Sequence, residues 1–315
     1  MIGESSGSEY NHSMEYNVII IGGGPAGMSA LLWCHSLGLQ AVMLEQAPEL
    51  GGQMLAMFHP VLEYPGFPNK TGRELRNEFE QHLRTYQLSY RVNYHIDKIN
   101  LLERHLVVNG KALSAHAIIV ATGARNRRLG LVNEEELQGI SYSATQDQPQ
   151  FAGRAVAVIG GGDSALEDCL IMAEACPRVT LIHRSDKFRA RPSWQQAVFN
   201  HPRIEVRTNT EIQAIYQSAH QELELSVINQ ATGRQQKILI GGLFVRLGIA
   251  ANTAFLQQQV TLDEAGYIVV DRAQRTSLPN VYAIGDVCRP VCFSVATAIG
   301  QGANAAKDIA QMLRR

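Results

Sequence analysis

The sequence predicts an α/β protein with two copies of one glycine-turn βαβ unit separated by β-meander insertions, and three observations predict it. Its 315 residues are about twice the ~150 residues of an ordinary domain. A strand, a glycine-rich turn and a helix occur in that order twice, at IGGGPAG and at VIGGGDSA. The segments that follow each copy alternate polar and apolar residues, as short antiparallel strands do.

The polar residues 1–14 lack periodicity and are expected to form a flexible tail. Val18 to Ile21 then form a buried strand, and Gly22, Gly24 and Gly27 spell G-x-G-x-x-G at the opening of a helix that runs to about Leu37 and stops at Gly38. In such a turn the first glycine makes the tight bend, the second lets the backbone approach a pyrophosphate, and the third brings helix and strand together. A second strand, Ala41 to Leu44, delivers Glu45 near the offset at which an acid meets a ribose hydroxyl. Strand, glycines, helix, strand and acid together make a dinucleotide-binding fingerprint. The stretch from Leu88 to Val120 reads as an inserted meander of antiparallel strands, ending in the small-residue turn Ala121 to Ala124, where a backbone can approach a cofactor.

The unit repeats with the strand Ala155 to Ile159, Gly160, Gly162 and Ala165, and the strand Val179 to Ile182. The position of Glu45 is here taken by His183, followed by Arg184, Arg189 and Arg191. An acid suits a free ribose hydroxyl and guanidinium groups suit a phosphate, so the first site fits FAD and the second a differently charged nucleotide. Strands and turns follow from Glu205 to Ile240. The strand in VYAIGD ends at Asp286, and a helical pattern runs from Ser294 to Met312. A carboxylate and a helix start at a sheet's C-terminal edge mark a ligand position. The fold class is therefore α/β, with two Rossmann-like dinucleotide-binding domains.

A net charge of -1 without Lys/Arg blocks argues against nucleic acid or an anionic membrane as partner. No apolar run reaches the ~18 residues of a membrane span and no secretory signal is evident, so a cytoplasmic location is expected. Five cysteines are an odd number, and any disulfide in a reducing compartment would be a working one. Cys34, Cys169 and Cys176 have core spacing, the last two on the second Rossmann helix. Cys288 and Cys292 stand one helical turn apart between Asp286 and the last helix. There Pro290 suits a first turn, and a helix start would favour thiolate. The pair is the candidate redox centre, with proximity to Asp286 favouring Cys288 as attacker, and no metal site is expected.

Together these motifs, with GGQ at 51–53, EYPGFP at 63–68, LIHRSDKFRA, FVRLGIAANTAFL at 244–256 and GQGANAA at 300–306, resemble the low-molecular-weight thioredoxin reductase family. The resemblance implies a discontinuous FAD-binding domain, 15–124 and 247–315, a second nucleotide-binding domain of NADPH type, 125–246, and a homodimer. It assigns FAD contacts to Gly22, Gly24, Pro25, Ala26, Gly27, Glu45, Gln46, Gly52, Gln53, Ala121, Thr122, Gly123 and Asp286. It assigns the second nucleotide to Gly162, Asp163, Ser164, His183, Arg184 and Arg189.

Two departures stand out. The family's C-x-x-C is absent, with Ser143 and Gln146 in its place, and Ser185 replaces the second of two paired arginines. This combination resembles the diflavin-linked disulfide oxidoreductases, in which a second FAD takes the place of NADPH. The implied activity is exchange of electrons between flavin and the relocated pair, with a protein or small-molecule disulfide or dithiol, or an electron carrier, as partner. Two alternatives stay open: a thioredoxin-reductase-like ferredoxin or flavodoxin–NADP reductase, and a non-catalytic flavin-binding sensor.

Overall fold

A computed structural model of the protein describes residues 16–58, 60–131, 134–218, 222–256 and 259–314. The polar N-terminal stretch 1–14 lies outside them. In chain order the first elements are β1 (Tyr16–Ile21), α1 (Pro25–Ser36), β2 (Ala41–Leu44), α2 (Gly72–Thr85), β3 (Tyr90–Arg91), β4 (Ile96–Asn100), β5 (His105–Val108), β6 (Lys111–Val120) and β7 (Ala124–Asn126). There follow β8 (Ile140–Ser141), α3 (Ala144–Phe151), β9 (Ala155–Gly160), α4 (Asp163–Ala175), β10 (Arg178–Ile182), α5 (Pro192–Phe199), β11 (Ile204–Arg207), β12 (Thr210–Gln217), β13 (Leu223–Asn229), β14 (Gln235–Ile240) and β15 (Gly242–Arg246). The chain ends with β16 (Ile249–Ala251), β17 (Val281–Ala283) and α6 (Val295–Leu313). It divides into two compact units, Met1–Ala124 with Ala251–Arg315, and Arg125–Ala250.

The first unit is built on a parallel sheet in the order β3-β2-β1-β6, with β17 also parallel to β6. The runs Val18–Ile21 of β1 and Ala117–Val120 of β6 are apolar at every position because both faces are covered there. In β1, Val18 and Ile20 face the cluster that holds α1 and α6, whereas Ile19 and Ile21 face the cluster of the meander. Helices α1 and α6 pack backbone to backbone: a Cβ on Gly302 would lie 2.7 Å from the Ala26 carbonyl oxygen and 2.9 Å from the Ala30 nitrogen.

The segment expected to be antiparallel throughout, Leu88–Val120, is divided between two kinds of pairing. Strands β4, β5 and the first half of β6 form the meander, but β3 and Ala115–Val120 join the parallel sheet. The cause is visible in β6, where alternation gives way to the buried run Ala117–Val120.

The second unit repeats the plan with a parallel sheet in the order β11-β10-β9-β15-β8 and a separate antiparallel sheet β12-β13-β14. The strands that lead out of and back into the first unit, β7 and β16, pair with each other. On the first unit's side Thr122 Oγ1 donates to the Asn252 carbonyl (2.9 Å) and Asn252 Nδ2 to the Thr122 carbonyl (2.8 Å). On the other side the Arg127 N–H donates to the Gly248 carbonyl (2.8 Å).

Candidate functional site

In the first unit the glycine turn leaves β1 at Gly22, whose φ of 110° is left-handed; a Cβ there would lie 2.3 Å from the Ala121 carbonyl oxygen. A Cβ on Gly27 would lie 2.0 Å from the Gly22 oxygen, so only glycine lets α1 close on the turn. Gly24 caps α1 without a side-chain hydrogen bond, Pro25 and Ala26 form its first turn, and nothing lies within 4 Å of the place a Gly24 Cβ would take. Open space at the unpaired N–H groups of a helix start fits a pyrophosphate. At the end of β2 both carboxylate oxygens of Glu45 are fixed, one by the Gly23 N–H (2.6 Å) and one by the Ala47 N–H (2.8 Å). Its remaining lone pairs can accept ribose hydroxyls. Gln46 follows on the exposed side.

Three further segments reach the same edge of this sheet. The Gly51 N–H donates to the Gly23 carbonyl (2.9 Å), which lays Gly52 and Gln53 beside the turn. The segment after β6 brings Ala121, Thr122 and Gly123, the last at φ 65°. After β17, a single 3-10 turn, Gly285–Cys288, carries Asp286. Asp286 Oδ2 accepts from Gln53 Nε2 (2.7 Å), and the Gly285 N–H donates to Gln301 Oε1 (2.6 Å). Burial lifts the Asp286 carboxyl above the usual carboxylate range, while the Gln53 amide pulls the other way. A half-buried acid with one protein donor is suited to accept from a ligand hydroxyl. Asn252 and Gln301 hold this edge together and were not singled out as site residues, although both lie in motifs read above.

The cysteine pair departs from expectation. Helix α6 begins only at Val295, capped by Ser294, whose Oγ accepts the Thr297 N–H (3.2 Å), so neither cysteine lies at a helix start. Cys288 closes the 3-10 turn, and Arg289 leaves it in the left-handed region at φ 50°. Cys288 packs against the apolar cluster of Ile268 and Val287, whereas Cys292 is exposed beside a fully exposed Val291. Burial first, and then the Asp286 carboxylate, push the Cys288 thiol well above its ordinary pKa. The thiolate-favouring environment expected at Cys288 is therefore absent, and the outward residue is Cys292. All five cysteines are free thiols; Cys34, Cys169 and Cys176 are buried, with Cys176 just past the end of α4 rather than on it.

In the second unit Gly160 makes the turn, and a Cβ there would lie 2.4 Å from the Arg246 carbonyl oxygen. The His183 ring covers Gly161, where a Cβ would meet it at 2.2 Å, and stands where Glu45 stands beside Gly23. Gly162 caps α4 with open space around it, followed by Asp163 and exposed Ser164. The Arg189 N–H donates to the Gly161 carbonyl (2.8 Å), folding the arginine loop onto the turn. Asp163 accepts the Arg191 backbone N–H (2.7 Å) and pairs with Arg191 Nε (2.8 Å), so Arg191 is committed. Arg184 and Arg189 are exposed, which leaves two guanidinium groups rather than three for a phosphate. Beneath the turn, buried Asp168 makes a bidentate pair with Arg246 (2.6 and 3.0 Å), a contact the motifs did not reveal.

Where the family carries C-x-x-C, Ser143 caps α3 by accepting the Gln146 N–H (3.4 Å), and Ser141 Oγ donates to Asp147 (2.8 Å). These positions now start a helix. Among the described residues no group of three or more metal-ligating side chains occurs, and no helix is long and apolar enough to cross a membrane.

Comparison with known proteins gives a consistent result. The family model for pyridine nucleotide-disulphide oxidoreductases matches residues 16–302. The chain is 35% identical to a thioredoxin reductase of Listeria innocua over 93% of its own length and 92% of that protein. The crystal structure of Lactococcus lactis thioredoxin reductase superposes with a TM-score of 0.83 at 30% identity, covering 95% of this chain and 99% of that one. Thioredoxin reductase from T. acidophilum gives 0.80 at 30% identity over 95% and 99%.

Proposed function

Since this chain belongs to the pyridine nucleotide-disulphide oxidoreductase family, within its thioredoxin reductase group, and is a flavin-dependent disulfide oxidoreductase, we propose that Cys288 and Cys292 are its redox-active pair. The observation that carries the reading is where thiols remain. Ser143 caps α3 by accepting the Gln146 N–H, while two cysteines flank the loop directly after Asp286, in the unit with the open, Glu45-bearing glycine turn. Gly22, Gly24, Pro25, Ala26 and Gly27 would hold the FAD pyrophosphate, Glu45 and Gln46 its ribose, and Gly52, Gln53, Ala121, Thr122, Gly123 and Asp286 the rest of the cofactor. FAD supplies a two-electron partner for a dithiol–disulfide couple.

The thiol chemistry follows from exposure. The Cys292 thiolate attacks a sulfur of the substrate disulfide; a mixed disulfide forms and one substrate thiolate leaves. Cys288 then gives up its proton and attacks Cys292 Sγ; the Cys288–Cys292 bond forms, the mixed disulfide breaks, and the second substrate thiolate leaves. The substrate gains two electrons and the pair loses two. This order reverses the preference for Cys288 as attacker, because Cys288 is half-buried with its thiol raised while Cys292 is exposed. The reverse sequence oxidises a dithiol substrate.

Gly162, Asp163, Ser164, His183, Arg184 and Arg189 would form the second nucleotide site, for NADPH or for a second FAD. The test is flavin stoichiometry by chromatography, with thiols counted before and after reduction in the wild type, Cys288→Ser and Cys292→Ser. About two FAD per chain and a reducible disulfide that either substitution abolishes support the diflavin form of this reading. One FAD per chain without a disulfide sinks it. The exposed Arg184 and Arg189 favour one alternative, a ferredoxin or flavodoxin–NADP reductase, whose mark is NADPH reduction of the flavin unaffected by Cys288→Ser.

A further inference from the structure

The loop between the two cysteines is fastened to the hairpin 263–267 of the same unit. Arg289 Nη1 pairs with Asp263 Oδ2 (3.2 Å), and its guanidinium lies 5.8 Å from the centre of the Tyr267 ring. Phe293, immediately after Cys292, meets the same ring edge-on at 6.4 Å. The hairpin that receives these contacts is itself rigid: Asp263 Oδ1 accepts the N–H groups of Ala265 and Tyr267 (both 2.9 Å), and the Asp263 N–H donates to the Tyr267 carbonyl (2.8 Å). Asp263 thus uses one oxygen to shape the hairpin and the other to hold the loop. Arg289 needs such an anchor, because the left-handed region is unfavourable for a residue with a long side chain.

In this fastened arrangement Cys288 packs inward against Ile268 and Val287 while Cys292 is outside, and both are thiols. A disulfide requires an S–S distance near 2.05 Å and Cβ atoms ~3.5–4.5 Å apart. With Cys288 packed on the apolar cluster and Cys292 exposed, closing the bond draws on the loop from Arg289 to Phe293, which the fastening holds. We infer that Arg289, Asp263 and Tyr267 form a clasp that holds the loop in its dithiol arrangement and must release for the Cys288–Cys292 bond to form. Arg289 is then a positioning residue that sets the dithiol–disulfide equilibrium of the pair, and Asp263 and Tyr267 are its supports. The inference rests on the reading of Cys288 and Cys292 as the redox pair.

The couple is defined by the dithiol reacting with oxidised glutathione to give the intramolecular disulfide and two molecules of reduced glutathione. Contacts made only in the dithiol form resist that reaction. An exposed ion pair and an exposed cation–π contact together shift such an equilibrium about fivefold, which for a two-electron couple is about 20 mV.

The experiment equilibrates flavin-bound protein in glutathione buffers of graded ratio, traps thiols with acid and maleimide, and counts them at Cys288 and Cys292 by mass spectrometry. Asp263→Asn keeps the hairpin's acceptor and removes the charge; Arg289→Ala removes the clasp from the loop side; Arg289→Lys restores the cation. The expected result is disulfide formation at an about fivefold lower oxidised-glutathione ratio in Arg289→Ala, a smaller shift in the same direction in Asp263→Asn, which leaves the contact with Tyr267, and partial return in Arg289→Lys. Unchanged midpoints, or midpoints displaced toward the dithiol, overturn the clasp while leaving the redox pair standing. A wild-type protein that forms no Cys288–Cys292 disulfide at any ratio overturns both.

Discussion

Gln53→Ala isolates the acid at the edge of the flavin unit. Among the described residues the Gln53 amide is the one protein donor to the Asp286 side chain, at 2.7 Å, and burial already holds that carboxyl above its ordinary value near 3.8. A hydrogen bond to a charged group contributes about 1.5–3 kcal/mol, and the partial exposure of this pair places it at the lower end, about 1.5 kcal/mol. The sign of the pH dependence is set by the direction of the shift. An acid whose folded value is raised costs stability when ionised, and the cost fades as pH falls through that raised value. Removing the donor raises it further, so the deficit of the variant is full at pH 8 and shrinks toward about 0.5 kcal/mol, a neutral hydrogen bond, as pH approaches 4. Urea unfolding of flavin-free wild type and variant between pH 8 and pH 4 reads this directly. A deficit that stays constant, or that grows toward acid, refutes the assignment of Asp286 as a half-buried acid held by Gln53.

Other consequences are independent of that site. Asp168→Ala strands the Arg246 guanidinium and is expected to cost about 3 kcal/mol in urea unfolding, with less than about 1 kcal/mol contradicting the buried pair. If the second site takes NADPH, Arg184→Ala weakens its binding about tenfold by calorimetric titration, whereas Arg191→Ala, whose guanidinium is held by Asp163, changes it less than about twofold; equal losses contradict that division. In iodoacetamide labelling of the reduced protein followed by mass spectrometry, Cys292 is expected to react first. Cys288 should lag, and Cys34, with its thiol pushed up to about 12 by burial, should stay protected; earlier labelling of Cys288 contradicts the exposure argument.

The parts legible in the sequence are those fixed by neighbours in the chain. Two-sided burial writes itself into runs such as Val18–Ile21, the glycine turns announce their geometry, and Glu45 emerges where the second strand ends. The start of α6 is legible at Ser294, whereas Pro290 suggests a helix start at the cysteines that the fold does not have. The stronger local signal was Ser294 with Thr297 after it, and Arg289 in a left-handed conformation breaks the run before that. What stayed hidden depends on partners far apart: Arg191 with Asp163, Arg246 with Asp168, Asn252 with Thr122, and Arg289 with Asp263. No local pattern marks an arginine as already taken, so the cations at 184–191 read as equivalent until their contacts are known.

The pairing of β7 with β16 means that Arg125–Ala250 leaves and rejoins the rest of the chain at two neighbouring points. A segment with adjacent ends is a cassette. It can be cut out and its place closed by a few residues, because the Thr122–Asn252 bonds that hold the two cut ends together lie on the retained side. The two glycine-turn βαβ units can therefore be separated, exchanged or redesigned one at a time.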